Sequence, residues 1–100
     1  MPLFEKDDVK RDALLRVLRE TRALLARSEN HFEWSSWEDV QAALRELDGL
    51  IDSVASGRGP DLLQLRVLFA PTGPIQEVSV SSGWGEAFLK LAGRLNAATR

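Results

Sequence analysis

The sequence predicts a two-layer α+β domain in which two long helices, a β-hairpin and a C-terminal helix follow one another (ααββα). Three observations predict this class. Apolar residues recur at helical spacing up to residue 54, they alternate with polar residues over 62–81, and the helical spacing returns after residue 82. One hundred residues are enough for one hydrophobic core, so residues 1–100 are expected to form a single domain.

The first predicted helix runs from about residue 7 to residue 27. One continuous arc of a helical wheel collects Ala13, Leu14, Val17, Leu18, Thr21, Leu24 and Leu25. Acidic residues near the start of this segment, and Arg22 and Arg27 near its end, agree with the helix dipole. The pattern is typical of a helix that is buried on one side.

The second predicted helix begins near Ser35 or Ser36. Each serine is followed three residues later by an acidic residue, which is the spacing of a capping box. Its apolar stripe comprises Trp37, Val40, Leu44, Leu47, Ile51 and Val54. Gly57 and Pro60 end the segment, because glycine favours a helix C-terminus and proline cannot continue one. The first two helices are therefore expected to form an antiparallel helical hairpin.

Residues 62–70 and 75–81 are predicted to be strands. Leu63, Leu65, Val67 and Phe69 occupy alternate positions of the first segment, and Val78 and Val80 share one face of the second. A helix remains the alternative for 62–70, but the Pro-Thr-Gly-Pro sequence at 71–74 favours a turn between strands. Since two strands alone are marginal, either residues 1–6 add a strand or a second copy completes the sheet. We expect a symmetric homodimer formed through the hairpin.

The turn before the last helix, at Ser82, Gly83, Trp84 and Gly85, is the first candidate ligand site. Backbone amides at a helix start attract anions, so a phosphate or carboxylate could bind here. The turn lacks the lysine of a P-loop and the third glycine of a dinucleotide fingerprint, and Glu86 would repel an anion. The alternative is a structural turn with Trp84 in the core. The helix that follows would bury Phe88, Leu91, Leu95 and Ala98.

The second candidate site is an interaction surface at the link between the first two helices. Phe32 and Trp34 lie in the link, and Glu38, Asp39 and Glu46 belong to an acidic segment with six carboxylates against one arginine over residues 33–54. Residues 10–27 have the opposite balance, with six basic residues against two acidic ones. The acidic surface is suited to a basic protein partner. The alternatives are aromatic packing and internal pairing with the basic helix.

Composition excludes or disfavours several other functions. The absence of cysteine removes disulfides, thiolate zinc sites and thiol nucleophiles, and Glu29, His31 and Glu33 form too loose a set for a metal site. No cofactor is expected and no residue is nominated as catalytic. Nucleic-acid binding is disfavoured because the basic residues are spread around the first helix. No apolar run reaches membrane-spanning length, and without a secretory signal a cytoplasmic location is expected.

Two short stretches resemble a known group of sequences. Residues 68–78 (LFAPTGPIQEV), followed by residues 82–85 (SGWG), are similar to a segment of a family of small uncharacterised bacterial proteins. The resemblance implies no activity and no site residue. The favoured function is a non-catalytic protein–protein interaction module of the adaptor, antitoxin or immunity type, by analogy alone. The alternative is a protein that binds a small molecule or anion at the turn 82–86.

Overall fold

The computed structural model describes residues 3–32, 37–58, 61–71 and 73–99 of the chain, with side chains from Lys10 onward. Within these ranges it contains five helices: α1 (Leu3–Leu25), α2 (Val40–Ala55), α3 (Leu62–Leu68), α4 (Pro74–Ser82) and α5 (Gly85–Ala98). The described residues include no strand. The predicted α+β class is therefore wrong, and the domain is all-helical.

The first predicted strand, residues 62–70, forms α3 and the turn after it. Six of the eight residues from 62 to 69 are apolar, so the segment fits a period of two and a period of 3.6 equally well. Burial follows the helical period at Leu65, Leu68 and Phe69. Leu63 and Val67, which the strand would have placed with Leu65, are 71% and 56% exposed. The Asp61 carboxylate caps α3 by accepting a hydrogen bond from the Gln64 backbone N–H at 3.1 Å.

The second predicted strand, residues 75–81, lies within α4. Pro74 stands in the first turn of that helix, where proline starts a helix because its missing N–H would have no intrahelical partner. Ile75, Val78 and Ser79 are buried at helical spacing. Val80, which a strand would have placed on the same face as Val78, is 66% exposed. The predicted hairpin is therefore wrong, because Pro74 starts a helix and does not belong to a turn between strands.

Glycine is required at both ends of α4. A Cβ atom at Gly73 would lie only 2.4 Å from the backbone oxygen of Val67, so the turn after α3 closes too tightly for any other residue. At the opposite end, Gly83 has a φ of 87°, in the left-handed region that glycine adopts without a steric penalty. The Trp84 N–H then donates to the Ser79 carbonyl at 2.8 Å, which ends the helix in a Schellman-type turn.

The long helix α1 packs against both α2 and α5, and α4 packs against α5. Every helix contributes to a single hydrophobic core, whose largest fully buried side chains include Leu18 and Leu25 (α1), Leu47 (α2), Leu65 (α3), Ile75 (α4) and Phe88 (α5). The rings of Phe69 and Phe88 stack with their centroids 6.4 Å apart, joining the end of α3 to α5. The core residues predicted for the first and last helices are confirmed except for Ala13, which is half-buried and does not belong to the core.

Two arginine–carboxylate pairs attach α1 to its neighbours. Arg22 donates from Nε and Nη2 to the Asp48 carboxylate of α2, at 2.5 Å and 3.2 Å. Arg94 of α5 donates through both terminal nitrogens to the Glu20 carboxylate. These hydrogen bonds hold the pKa of Asp48 and the pKa of Glu20 below their ordinary values. The predicted pairing of the basic first helix with the acidic second helix is thus realised at Arg22.

The second helix starts later than the sequence predicts. Asp39 is its N-cap, and the carboxylate accepts from the Ala42 N–H at 2.9 Å. The predicted caps Ser35 and Ser36 lie outside the described residues. Trp37 is buried as predicted, but it precedes α2 and does not belong to its stripe. Among the described residues, no helix is both long and apolar enough to cross a membrane.

We expect Leu65→Ala and Leu63→Ala to differ strongly in their effect on stability. The helix buries Leu65 and exposes Leu63, so Leu65→Ala should lower the free energy of unfolding by about 2–5 kcal/mol. Leu63→Ala should change it by no more than about 0.5 kcal/mol. Urea unfolding followed by circular dichroism measures both values. Equal losses in the two variants would instead support the alternating strand.

We expect stability to fall in acid as the two carboxylates lose their arginine partners. The folded pKa values of Glu20 and Asp48 lie below the ordinary 4.5 and 3.8. The pairs therefore stabilise the fold above those ordinary values and lose their effect as the pH falls through the lowered ones. The free energy of unfolding should decline from about pH 5 downward. The double variant Glu20→Gln/Asp48→Asn should decline less steeply; an unchanged slope would contradict the assignment.

Candidate functional site

The predicted ligand-binding turn lies between α4 and α5, where its groups bond to other parts of the chain. Ser82 is the last residue of α4, and its hydroxyl accepts a hydrogen bond from the His31 backbone N–H at 2.9 Å. Trp84 is 6% exposed and belongs to the core. Gly85 begins α5, with Glu86 in the first turn. The turn thus serves as a structural junction, and an anion site here stays a prediction.

Asn30 joins this turn to the end of α1. Its side-chain amide nitrogen donates to the backbone carbonyls of Leu24 and Leu25, at 2.6 Å and 3.0 Å. Its side-chain oxygen accepts from the indole N–H of Trp84 at 2.8 Å. Only a carboxamide supplies donors and an acceptor in this way, because a carboxylate has acceptors alone. One residue therefore caps α1 and fixes Trp84.

The predicted acidic interaction residues have separate environments. Glu46 accepts from the Trp37 indole N–H and from the Gln64 side chain, both at 3.0 Å, so it connects the link, α2 and α3. Asp39 caps α2, as described above. Glu38 is exposed. Much of the acidic segment is therefore used within the fold, and these residues stay predictions as contacts for a partner.

Three of the predicted interaction residues come together at one end of the α1–α2 pair. Phe32, Glu38 and Asp39 line a cavity of about 520 Å³, together with Arg27 and Asn30. Phe32 is half-buried and packs against the core. Trp34, the remaining member of the predicted surface, lies outside the described residues. The structure thus places Phe32 near the acidic start of α2.

A second cavity, which the sequence analysis did not identify, follows the seam between α1 and α5. This α1–α5 groove has a volume of about 330 Å³ and is lined by Glu20, Ala23, Leu24, Ala87, Lys90, Leu91 and Arg94. Its floor is apolar, with Leu91 buried and Leu24 half-buried. Ala23 and Ala87 leave the space open because each ends at Cβ where a longer side chain would fill the seam. The helices α1 and α5 are nevertheless packed against each other along this seam.

The border of the α1–α5 groove is predominantly basic. Lys90 and Arg94 line it from α5, and the single carboxylate at the border, Glu20, is already bonded to Arg94. Arg16 extends the border along α1, since it shares the face of Glu20 and Ala23 at helical spacing. Arg16 is close enough to contribute to the lowered pKa of Glu20, after the larger effect of Arg94. The groove thus combines an apolar floor with an excess of cations.

The described side chains can be compared with the ligand arrangements that a metal ion requires. They contain no group of three or more His, Cys, Asp or Glu residues arranged to hold a metal ion. The one histidine, His31, lies in the exposed link, where its backbone N–H bonds to Ser82. The groove itself presents alkyl groups, cations and one paired carboxylate. These groups can bind another molecule through apolar contacts and charge pairing.

Comparisons with known proteins give no relative from which a function could be transferred. No protein-family model matches the chain, and no curated protein or solved structure shows significant similarity to it. The site must therefore be interpreted from its own geometry.

One signal in the sequence could have pointed to the groove. Arg16, Glu20 and Ala23 follow one another on a single face of α1. On α5 the same is true of Ala87, Lys90, Leu91 and Arg94. What the sequence does not give is the pairing of these two faces, because they lie more than 60 residues apart in the chain.

We expect Asn30→Ala to lower the free energy of unfolding by about 1–3 kcal/mol, because it leaves the Trp84 indole and the last α1 carbonyls without their partner. Asn30→Asp should also destabilise, since it keeps the acceptor for Trp84 but loses both donors. Asn96→Ala, at an exposed position of α5, is the control. Urea unfolding gives the stability and near-ultraviolet circular dichroism follows the tryptophans. No difference between Asn30→Ala and the control would contradict the role of Asn30.

Proposed function

We propose that the protein is a non-catalytic protein–protein interaction module whose α1–α5 groove binds an amphipathic helix with acidic side chains from a partner protein. The observation that supports this most directly is the apolar floor of the groove beside the cations Lys90 and Arg94 of α5. Helix-in-groove recognition uses this combination, with apolar anchors at helical spacing and charges at the rim. A cytoplasmic location belongs to the same proposal, and the absence of cysteine supports it.

The floor of the groove supports a helical partner over an extended one. Ala23 and Ala87 face the space from two helices packed side by side. A third helix laid along this seam would place side chains of one face between them, and small residues permit a close approach of helix axes. Burying leucine-sized anchors on Leu24 and Leu91 supplies the favourable free energy, at about 1.5–3 kcal/mol for each side chain that becomes fully buried.

The charges at the border support an acidic partner. Lys90 is exposed on α5, and Arg16 is exposed on α1. Carboxylates on the partner would meet these cations at the rim, where charge complementarity accelerates association and sets the orientation. The sequence predicts an acidic surface on the second helix that binds a basic partner, whereas this proposal assigns a basic surface to an acidic partner. The surface that fits a partner best is basic.

A nucleic acid fits the same surface less well. Phosphates would find cations at Arg16 and Lys90, but Glu20 stands among them and the floor between them is apolar. Nucleic-acid sites are usually continuous basic patches that track a charged backbone. A groove with an apolar floor and cations at its border is complementary to a helix whose apolar side chains are flanked by carboxylates. Nucleic acid is therefore retained as an outcome of the test and not as a second proposal.

The test uses a fluorescein-labelled synthetic peptide of about 18 residues, long enough to form a helix. Its leucines form one face and glutamates flank them; a second peptide has lysine in place of each glutamate. We expect the acidic peptide to bind the protein about tenfold more tightly than the lysine peptide, measured by fluorescence anisotropy. Ala23→Trp should weaken binding of the acidic peptide about tenfold by filling the groove. Lys90→Glu should weaken it as well, through charge repulsion.

Two matched variants on α2 serve as controls, because that helix lies outside the groove. Ala55→Trp and Arg45→Glu, both at exposed positions, should leave peptide binding unchanged. Equal affinity for the two peptides, or no effect of Ala23→Trp, would overturn the proposal. So would a labelled DNA duplex that binds more tightly than the acidic peptide and responds to Arg16→Glu but not to Ala23→Trp.

A further inference from the structure

The exposed side of α3 is the most apolar surface on the short helices. Leu63 and Val67 stand one turn apart and are 71% and 56% exposed, and Leu62 beside them is 44% exposed. Arg66 completes this surface, which we call the α3 face (Leu62, Leu63, Arg66 and Val67). Three large apolar side chains exposed together on a helix of seven residues are unusual for a surface that stays in water.

A cavity of about 260 Å³ adjoins the α3 face. Its walls come from α3, the turn after it and the end of α5: Leu62, Leu65, Arg66, Phe69, Ala70, Pro71, Leu95, Asn96 and Thr99. Buried Leu65, Phe69 and Leu95 form its apolar floor. Leu62 and Arg66 belong both to the cavity and to the α3 face. A protruding leucine and a depression that could receive one therefore lie side by side on the same surface.

The charges at the two ends of α3 indicate which partner fits. Asp61 precedes the helix and is exposed, and Arg66 is exposed in its last turn. If two such helices meet in antiparallel orientation, each Asp61 lies beside the other chain's Arg66. The helix dipoles are then also opposed, which is favourable. A surface with opposite charges at its ends and an apolar centre is complementary to itself.

We infer that two copies of this chain associate through their α3 faces about a two-fold axis. In this arrangement the pairing is reciprocal, as a two-fold interface requires. Leu63 of each copy enters the cavity of the other, and Asp61 of each copy pairs with the other copy's Arg66. The surface is distinct from the α1–α5 groove, which shares none of these residues. It also differs from the predicted hairpin dimer, since the hairpin segments are helices.

Sedimentation velocity at protein concentrations up to about 1 mM tests this inference. We expect the wild-type protein to move from 11.1 kDa toward twice that mass as the concentration rises. Leu63→Glu should keep it monomeric, because the interface would bury an unpaired carboxylate. Leu89→Glu is the matched control: Leu89 lies on α5 and is 65% exposed. That variant should associate like the wild type.

A second variant tests the charge pairing without disturbing the fold. Asp61→Asn preserves a residue that caps a helix well but removes the charge, so the monomer should unfold at the same urea concentration. Its dimer dissociation constant should rise about two- to tenfold, as expected for two exposed ion pairs. A wild-type protein that stays at 11.1 kDa throughout, or a Leu63→Glu variant that still dimerises, would overturn the inference. So would an unchanged dissociation constant in Asp61→Asn.

Discussion

The structure depends above all on covering the apolar side of α1. Leu18 and Leu25 are fully buried there, and no single neighbour can cover an arc that wide. Helix α2 lies along one border of the arc and α5 along the other, each attached by an arginine–carboxylate pair. Such pairs at exposed positions add little stability, so the apolar burial supplies the free energy and the pairs favour one alignment. The side of α1 that remains in water bears Arg16 and Arg19.

The position of α5 follows from a small polar junction at the end of α1. Asn30 bonds to the last carbonyls of α1 and to the Trp84 indole, and His31 bonds to Ser82. Gly83 gives the left-handed turn that directs the chain from α4 into α5. Because α5 is fixed at this end, Ala87 and Leu91 lie opposite Ala23 and Leu24. The α1–α5 groove therefore results from the way in which the two helices are joined and from the small side chains of Ala23 and Ala87, which face each other across the seam.

The fold also determines which charges are available to a partner. Residues 33–54 are rich in carboxylates, but Asp39 caps a helix, Glu46 bonds to Trp37 and Gln64, and Asp48 pairs with Arg22. Each of these carboxylates already uses part of its hydrogen-bonding capacity within the fold. On α1 and α5, Arg22 and Arg94 are paired with carboxylates as well, while Arg16 and Lys90 are exposed. The charge count along the chain therefore gave the net charge of residues 33–54, while the packing determined which charged groups are accessible to a partner.

The sequence by itself determined the three longer helices, most of their buried residues and the end of α2 near Gly57, because each has enough turns for one period to dominate. It did not determine α3 and α4. Their seven and nine residues are too short to separate a period of two from one of 3.6, and Pro74 fits a turn as well as a helix start. Only tertiary structure decided between them, since packing buries Leu65 and Val78 and leaves Leu63 and Val80 in water. Tertiary structure also determined the α1–α5 groove, because the groove forms only when two helix faces that are distant in the chain lie side by side.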